Sequence, residues 1–413
     1  MKSISANGAF EENIPQRRRT GQIWHTLFQA STIVGIIFLS ALLYSVLNQT
    51  FGLVAIENQV DPAALAVGGV SVEELSKEQL VAVLQEHVSK GLFRRFEYDR
   101  PFAQRSREEV YRLVWQHVVA PQAVETWSLY ESIFARDEIE AAVAEEFPDA
   151  TLQFRSWLNR RLLTASQSSD PEQAGIRTAI LGSLWTIAIT ILTAFPLGVG
   201  AAIYLEEYAP DNWLTRLLQT NINNLAGVPS IIYGLLGLAI FVRALEVLTS
   251  GAMFGATDPT TANGRTILSA GMTLGLLILP LIIINAQEAI RAVPDALRRA
   301  SYGLGATQWQ TIWWHVLPNA LPGILTGTIL GVSRAIGETA PLVVVGASTF
   351  VAIDPRGPFS KFTTLPIQVF QWTARPQDEY RNLAAGAIII LLLLIITLNA
   401  LAVVLRNRYS RRL

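Results

Sequence analysis

Residues 320–346 read ALPGILTGTILGVSRAIGETAPLVVVG, an apolar run long enough to cross a bilayer that still carries Arg334 and Glu338. These are the only charged side chains well inside any of six long apolar stretches of the chain. Placing either one at the centre of a bilayer costs roughly 2.5–3.5 kcal/mol on insertion scales. An ionisable group kept at that cost reads as part of a polar pathway. On a continuous helix, a spacing of four puts both side chains on one face and within reach of each other. The bland alternative is an internal pair that only neutralises itself, or an Arg that snorkels to the interface.

The composition outside this run fits a membrane chain. Of 413 residues, 51% are hydrophobic and only 16% charged, against about 25% charged in soluble domains. A net charge of −1 gives no pointer to nucleic acid. With no cysteine, disulfides, thiolate metal sites and thiol nucleophiles are excluded. The four histidines, His25, His87, His117 and His315, are scattered and argue against a metal centre. None of the four lysines sits in a G-x-x-x-x-G-K-[ST] frame, so any energy from ATP must come from another polypeptide. No residue is assigned a catalytic role and no cofactor is expected.

Six segments are long enough to span, at about 26–47, 178–204, 223–242, 266–287, 320–346 and 383–405. The fold class is therefore an all-α membrane protein with six transmembrane helices. Arg17, Arg18 and Arg19 precede the first segment, which is too long for a signal h-region and reads as a retained anchor. The chain divides into a tail (1–25), a first span (26–47), an insertion (48–177), a core with five more spans (178–405) and a basic tail (406–413). Basic residues in both tails, with Arg291, Arg298 and Arg299 between spans four and five, put both termini in the cytoplasm. The loop 347–382, with Arg356, Lys361, Arg375 and Arg381, pulls weakly the other way.

The insertion is too polar to cross a membrane. Ser71-Val-Glu-Glu74 and Ser106-Arg-Glu-Glu109 have the form of capping boxes, and helices over 77–90 and 107–118 follow, ended by Gly91 and Pro121. A compact helical extracytoplasmic unit is expected, with Trp115, Trp127 and Trp157 in its core.

The loop 289–318 is built for presentation. Pro294 suits a first helical position, Asp295 favours the positive end, and Gly303 or Gly305 can stop the helix. Thr307-Gln-Trp-Gln310 opens a second helix carrying Trp309, Trp313 and Trp314, residues that suit a membrane–water interface. Such a short presented helix fits a groove on a soluble partner.

At this point the residues resemble a known family. From Arg299 the loop reads Arg-Ala300-Ser301, with Gly305 at the seventh place and Leu317-Pro318 at the nineteenth and twentieth. That spacing is similar to the EAA loop of membrane subunits in bacterial ABC importers, with Arg299 where the family usually has glutamate. Arg334-Ala-Ile-Gly-Glu338-Thr339-Ala-Pro-Leu342 resembles the signature of phosphate importer permeases of the PstA type. Ala201-Ala-Ile-Tyr-Leu-Glu-Glu-Tyr-Ala-Pro210 and Asn223-Asn-Leu-Ala-Gly-Val-Pro-Ser-Ile-Ile-Tyr-Gly234 resemble the same group. The resemblance covers about 175–405 and leaves the insertion outside the common core.

The resemblance implies a type I ABC importer permease core of the MetI-like kind in the bacterial inner membrane. It implies a PstC-type permease as heterodimer partner, an ATPase dimer of the PstB type, a periplasmic phosphate-binding protein of the PstS type, and phosphate as cargo. Carried over residue by residue, Arg334, Glu338 and Thr339 belong to the substrate pathway. Ala300, Ser301, Gly305, Leu317 and Pro318 belong to ATPase coupling.

Other signals carry less. Gly327 and Gly331 form a Gly-x-x-x-Gly pair that suits close helix packing. Pro196 and Pro229 are positioned to kink or loosen spans two and three, while Asn223 and Asn224 are candidate caps for span three. A secondary anion transporter and a membrane sensor using the insert remain as alternatives, though no convincing internal repeat is present.

Overall fold

The computed structural model describes residues 14–67, 69–256, 264–347 and 350–410. Among these, five helices are long and apolar enough to cross a membrane, and a bent pair makes a sixth if counted as one crossing. The first span is Arg17–Thr50, the second Arg177–Tyr208, the fourth Ile267–Arg291, the fifth Gln308–Gly337 and the sixth Asp378–Arg408. The third is the pair Trp213–Ala226 and Ser230–Ala244, bent by 106°.

The fourth span is the hub. In lipid, helices gain little by burying apolar surface from each other, so close packing over small residues must hold them. A Cβ at Gly271 would lie 2.6 Å from Ile189 of the second span, and one at Gly198 would lie 2.6 Å from Ile282. On the fifth span a Cβ at Gly327 would meet Asn285 at 2.2 Å, so this glycine packs against the fourth span. The Thr190 hydroxyl adds a 3.0 Å hydrogen bond to the Gly271 carbonyl. The sequence Pro196 stays inside a continuous helix, Arg177–Ile203, which widens into a π-type turn over Tyr204–Tyr208.

Two spans are broken: the third, which Pro229 was expected to kink or loosen, and the fifth, where no break was expected. Helix Trp213–Ala226 begins before the expected third span and is capped by Asn212, whose Oδ1 accepts from Thr215 N at 2.9 Å. Asn223 and Asn224 are thus interior to a helix and do not cap its start. The chain breaks at Gly227-Val228-Pro229, because Pro229 has no N–H to continue the ladder. The fifth span stops at Gly337, and a separate short helix, Ala340–Val345, carries Pro341 in its first turn. Proline disfavours helical backbone in the residue before it, which weakens any helix running on through 338–340.

The insertion contains the expected helices and also a three-stranded antiparallel sheet of order β2-β1-β3. Its strands are β1 (Phe51–Asn58), β2 (Pro121–Thr126) and β3 (Thr151–Ser156). The sheet escapes a search for alternation because Val54 and Ala55, neighbours in β1, are both fully buried. Val54 faces Trp157 and the sixth span's Tyr380 and Leu383, whereas Ala55 faces Ile139 and Val143. The box at Ser106 and Glu109 forms as expected. Ser71 and Glu74 close only a single turn, and the neighbouring helix, Lys77–His87, takes its box from Ser76 and Gln79. That helix ends before Gly91, which lies inside the next one, Lys90–Asp99. Trp157 is core, whereas Trp115 and Trp127 are only half-buried.

Candidate translocation and coupling site

The break in the fifth span determines how its two charges meet. Arg334 lies in the last helical turn, and Glu338 follows the helix in extended conformation, with φ −75° and ψ 123°. The two therefore do not share a continuous helical face. They still touch, with Arg334 Nε 3.4 Å from Glu338 Oε1. The Arg334 side chain is 46% exposed and that of Glu338 19% exposed, so the pair is open to its surroundings. Thr339 is half-buried and ends the unwound link, as the N-cap of Ala340–Val345.

This unwound link adjoins the break in the third span. A Cβ on Gly234 would sit 2.7 Å from the Cα of Pro341, so the two short helices run against each other almost backbone to backbone. Tyr233 is buried beneath this contact, and its hydroxyl donates to the Leu225 carbonyl at 2.7 Å, closing the end of helix Trp213–Ala226. The sequence blocks Asn223–Gly234 and Arg334–Leu342, distant in the chain, are thus brought together. Gln219 and Gln287 exchange two hydrogen bonds, of 3.1 and 2.8 Å, between the bent pair and the fourth span. Broken helices at membrane depth are tolerated where they line a polar cavity or are covered by protein. Chemically, the site offers a guanidinium that makes a single polar contact among the described residues, a carboxylate and a hydroxyl.

The hairpin 289–318 is built by caps. Helix Asp295–Gly303 has Pro294 at its N-cap and not at its first helical position, and Gly305, at φ 84°, lets the chain leave. Thr307 and Gln310 form their capping box and open the return path to the fifth span. Of the residues expected to take part in coupling, Ala300 and Gly305 are exposed. Ser301 is buried, its hydroxyl 2.8 Å from that of Thr311, so it binds the two arms of the hairpin together. Leu317 and Pro318 are half-buried where the return path becomes the fifth span. Leu304, 91% exposed, is the most prominent apolar side chain of the loop, with Tyr302 and Trp314 also exposed.

Sequence reasoning missed the joint beneath this hairpin. Arg298 Nη2 lies 2.8 Å from Glu207 Oε1, with side chains only 15% and 6% exposed. The same guanidinium donates to the carbonyls of Val293, at 2.7 Å, and Ile290, at 2.9 Å, capping the end of the fourth span. Gln308, on the other arm, donates to the Glu207 carbonyl. Arg291 grips Glu206 through two hydrogen bonds of 2.7 Å each. Glu206 and Glu207 lie in the terminal turn of the second span. Their only sequence signal was membership of the block Ala201–Pro210.

Residues 194–413 match the family model described as binding-protein-dependent transport system inner membrane component. A probable ABC transporter permease, YqgI of Bacillus subtilis, is 33% identical over 218 residues, covering 52% of this chain and 68% of that protein. Phosphate transport system permease protein PstA 1 of Mycobacterium tuberculosis is 34% identical over 245 residues, 59% of this chain and 74% of its own length. A phosphate transport system permease protein PstC, from Haemophilus influenzae, is 31% identical over 252 residues, with 57% and 75% covered. Among solved structures, an inward-facing form of the MetNI methionine ABC transporter matches with a TM-score of 0.44 and 18% identity. That match covers 59% of this chain and 99% of the other.

Proposed function

Since this chain belongs to the family of binding-protein-dependent transport system inner membrane components, as an ABC importer permease subunit and not an enzyme, we propose that its cargo is inorganic phosphate. The observation that carries this reading is the Arg334–Glu338 pair beside the adjoining breaks of two spans. An anion leaving water for hydrocarbon needs counter-charge and hydrogen-bond donors, and a guanidinium supplies both in a fork that matches phosphate geometry. Glu338 tempers that attraction. A paired Arg334 offers phosphate a weak site, from which the anion is released and not trapped. Relatives named phosphate transport system permeases support the choice of cargo.

The pathway is completed by a second permease of the PstC type. A phosphate-binding protein delivers cargo from outside, and a separate ATPase dimer docks on the hairpin around Ala300, Gly305 and Leu304. Both termini lie in the cytoplasm, on the side of the hairpin's arginines. Thr339, next to the pair, contributes a hydroxyl to the route.

The test is phosphate uptake into vesicles by the assembled transporter carrying Arg334→Gln. Uptake is lost while the subunits still co-purify. Unchanged uptake in a stably assembled variant would remove Arg334 from the pathway. Uptake that follows an ion gradient in the absence of ATP would place the chain among secondary transporters instead.

A further inference from the structure

The insertion lies outside the region matched to the family, and part of its surface is unexpectedly apolar. Short helix Leu129–Phe134 turns Tyr130, Ile133 and Phe134 outward, at 55%, 60% and 74% exposure, and Phe154 of β3 continues the patch. None of the four belongs to a hydrophobic core cluster of the insertion. The Tyr130 and Phe134 rings pack on each other, centroids 4.8 Å apart, so the patch is an ordered surface.

Its position decides what meets it. The apolar run of the first span ends at Leu47, and β1 begins at Phe51. Helix Leu129–Phe134 is fastened to this exit. Asn48 Oδ1 accepts from Tyr130 N at 2.7 Å, and the Ser132 hydroxyl accepts from Leu53 N at 2.7 Å. Tyr44 and Leu47 are exposed on the last turns of the first span, so the patch continues the uncovered apolar surface of that span. At 1.5 Å per residue, Tyr44 to Asn48 spans about 6 Å, roughly the depth of one interfacial layer. Beside the patch lies a groove of about 560 Å³, with Ile133, Leu152 and Phe154 on its apolar side and Arg136 and Glu140 at its charged edge. The Arg136 guanidinium and Glu140 carboxylate, 2.8 Å apart, offer partners to a phosphate and an ammonium respectively.

We propose that Tyr130, Ile133, Phe134 and Phe154 form a foot that rests in the membrane interface, with phospholipid as its occupant. The amphipathic ring of Tyr130 favours the headgroup boundary, Ile133, Phe134 and Phe154 favour its acyl side, and the charged rim lies where zwitterionic headgroups can meet it. The foot fixes the height of the insertion above the bilayer. This rests on the first span crossing the membrane, and it does not depend on the cargo.

The absence of cysteine makes a direct test possible. The assembled transporter is placed in phosphatidylethanolamine-containing nanodiscs, with a single spin label at Phe134→Cys, at Tyr130→Cys, or at Tyr98→Cys, which is 91% exposed elsewhere on the insertion. Labels at 134 and 130 should relax several-fold more with oxygen than with a water-soluble nickel chelate, and the label at 98 should show the reverse. Nickel-dominated relaxation at both 134 and 130 would mean that water covers the patch. Low accessibility to both reagents would mean that another subunit covers it. Either result overturns the proposal, and neither bears on phosphate uptake.

Discussion

Two arginine–glutamate pairs in this molecule have opposite characters. Arg298 and Glu207 are 91 residues apart in sequence, meet at 2.8 Å, and are almost entirely buried. Arg334 and Glu338 are four residues apart, meet at 3.4 Å through one nitrogen and one oxygen, and remain partly open. The first arginine also saturates two backbone carbonyls at the end of the fourth span, so its geometry is over-determined. The difference separates a fixed joint from a contact that can exchange partners. A joint between the hairpin and the second span must not yield when the loop is pushed. On the proposed pathway, Arg334 must let go of Glu338 as cargo passes.

The largest expected effect comes from breaking the joint. Glu207→Ala removes the buried partner of Arg298 and leaves it only the exposed Asp295, 3.2 Å away, so the loss should approach but not exceed the about 3–5 kcal/mol typical of breaking a buried pair. Thermal unfolding of the detergent-solubilised subunit measures it. A Glu207→Ala variant as stable as wild type would mean that the pair is not a joint.

Opening the other pair should hardly touch stability. Exposed pairs contribute about 0–1 kcal/mol, so Glu338→Gln should unfold near the wild-type temperature. Its effect should appear in transport, with apparent affinity for phosphate rising and maximal uptake falling, because Arg334 holds the anion longer. If both kinetic constants match wild type, Glu338 has no part in tempering the site.

The legibility of the sequence follows the same division. The hairpin's caps, Gly305 and the Thr307–Gln310 box, are local interactions within a few residues and could be read directly. Arg334 and Glu338 were conspicuous because charge is rare in apolar runs, yet their separation onto helix and link was not foreseen. That depended on where the helix would stop ahead of Pro341. The Glu207–Arg298 joint depended on which loop ends meet in space, and no local pattern carries that information. The same holds for β1. Its burial on both faces is set by Trp157 and Tyr380 on one side and Ile139 on the other, all far along the chain.

The smallest effect lies in the insertion, away from both pairs. Burial holds the His117 imidazole below the ordinary histidine value of 6.5, with Asp170 opposing it weakly, and the ring lies 5.0 Å from that of Phe96. As pH falls through 6.5, the unfolded chain takes up a proton that folded His117 resists, so stability declines until the folded value is reached. Thermal unfolding between neutral and mildly acidic pH reads the decline, and His117→Gln should flatten that part of the profile. A profile unchanged by the substitution would assign the acid sensitivity to other groups.

The central claim is that Arg334 lines a route that opens and closes. In this cysteine-free chain, Arg334→Cys is the one thiol of the subunit, and its modification by a water-soluble, charged thiol reagent in the assembled transporter is read on this subunit alone. Modification should proceed with ATP and the binding protein present, slow markedly on removing either, and slow again with saturating phosphate. Position 334 unreactive in every state would contradict the account, because it would mean that the residue faces a closed protein seam.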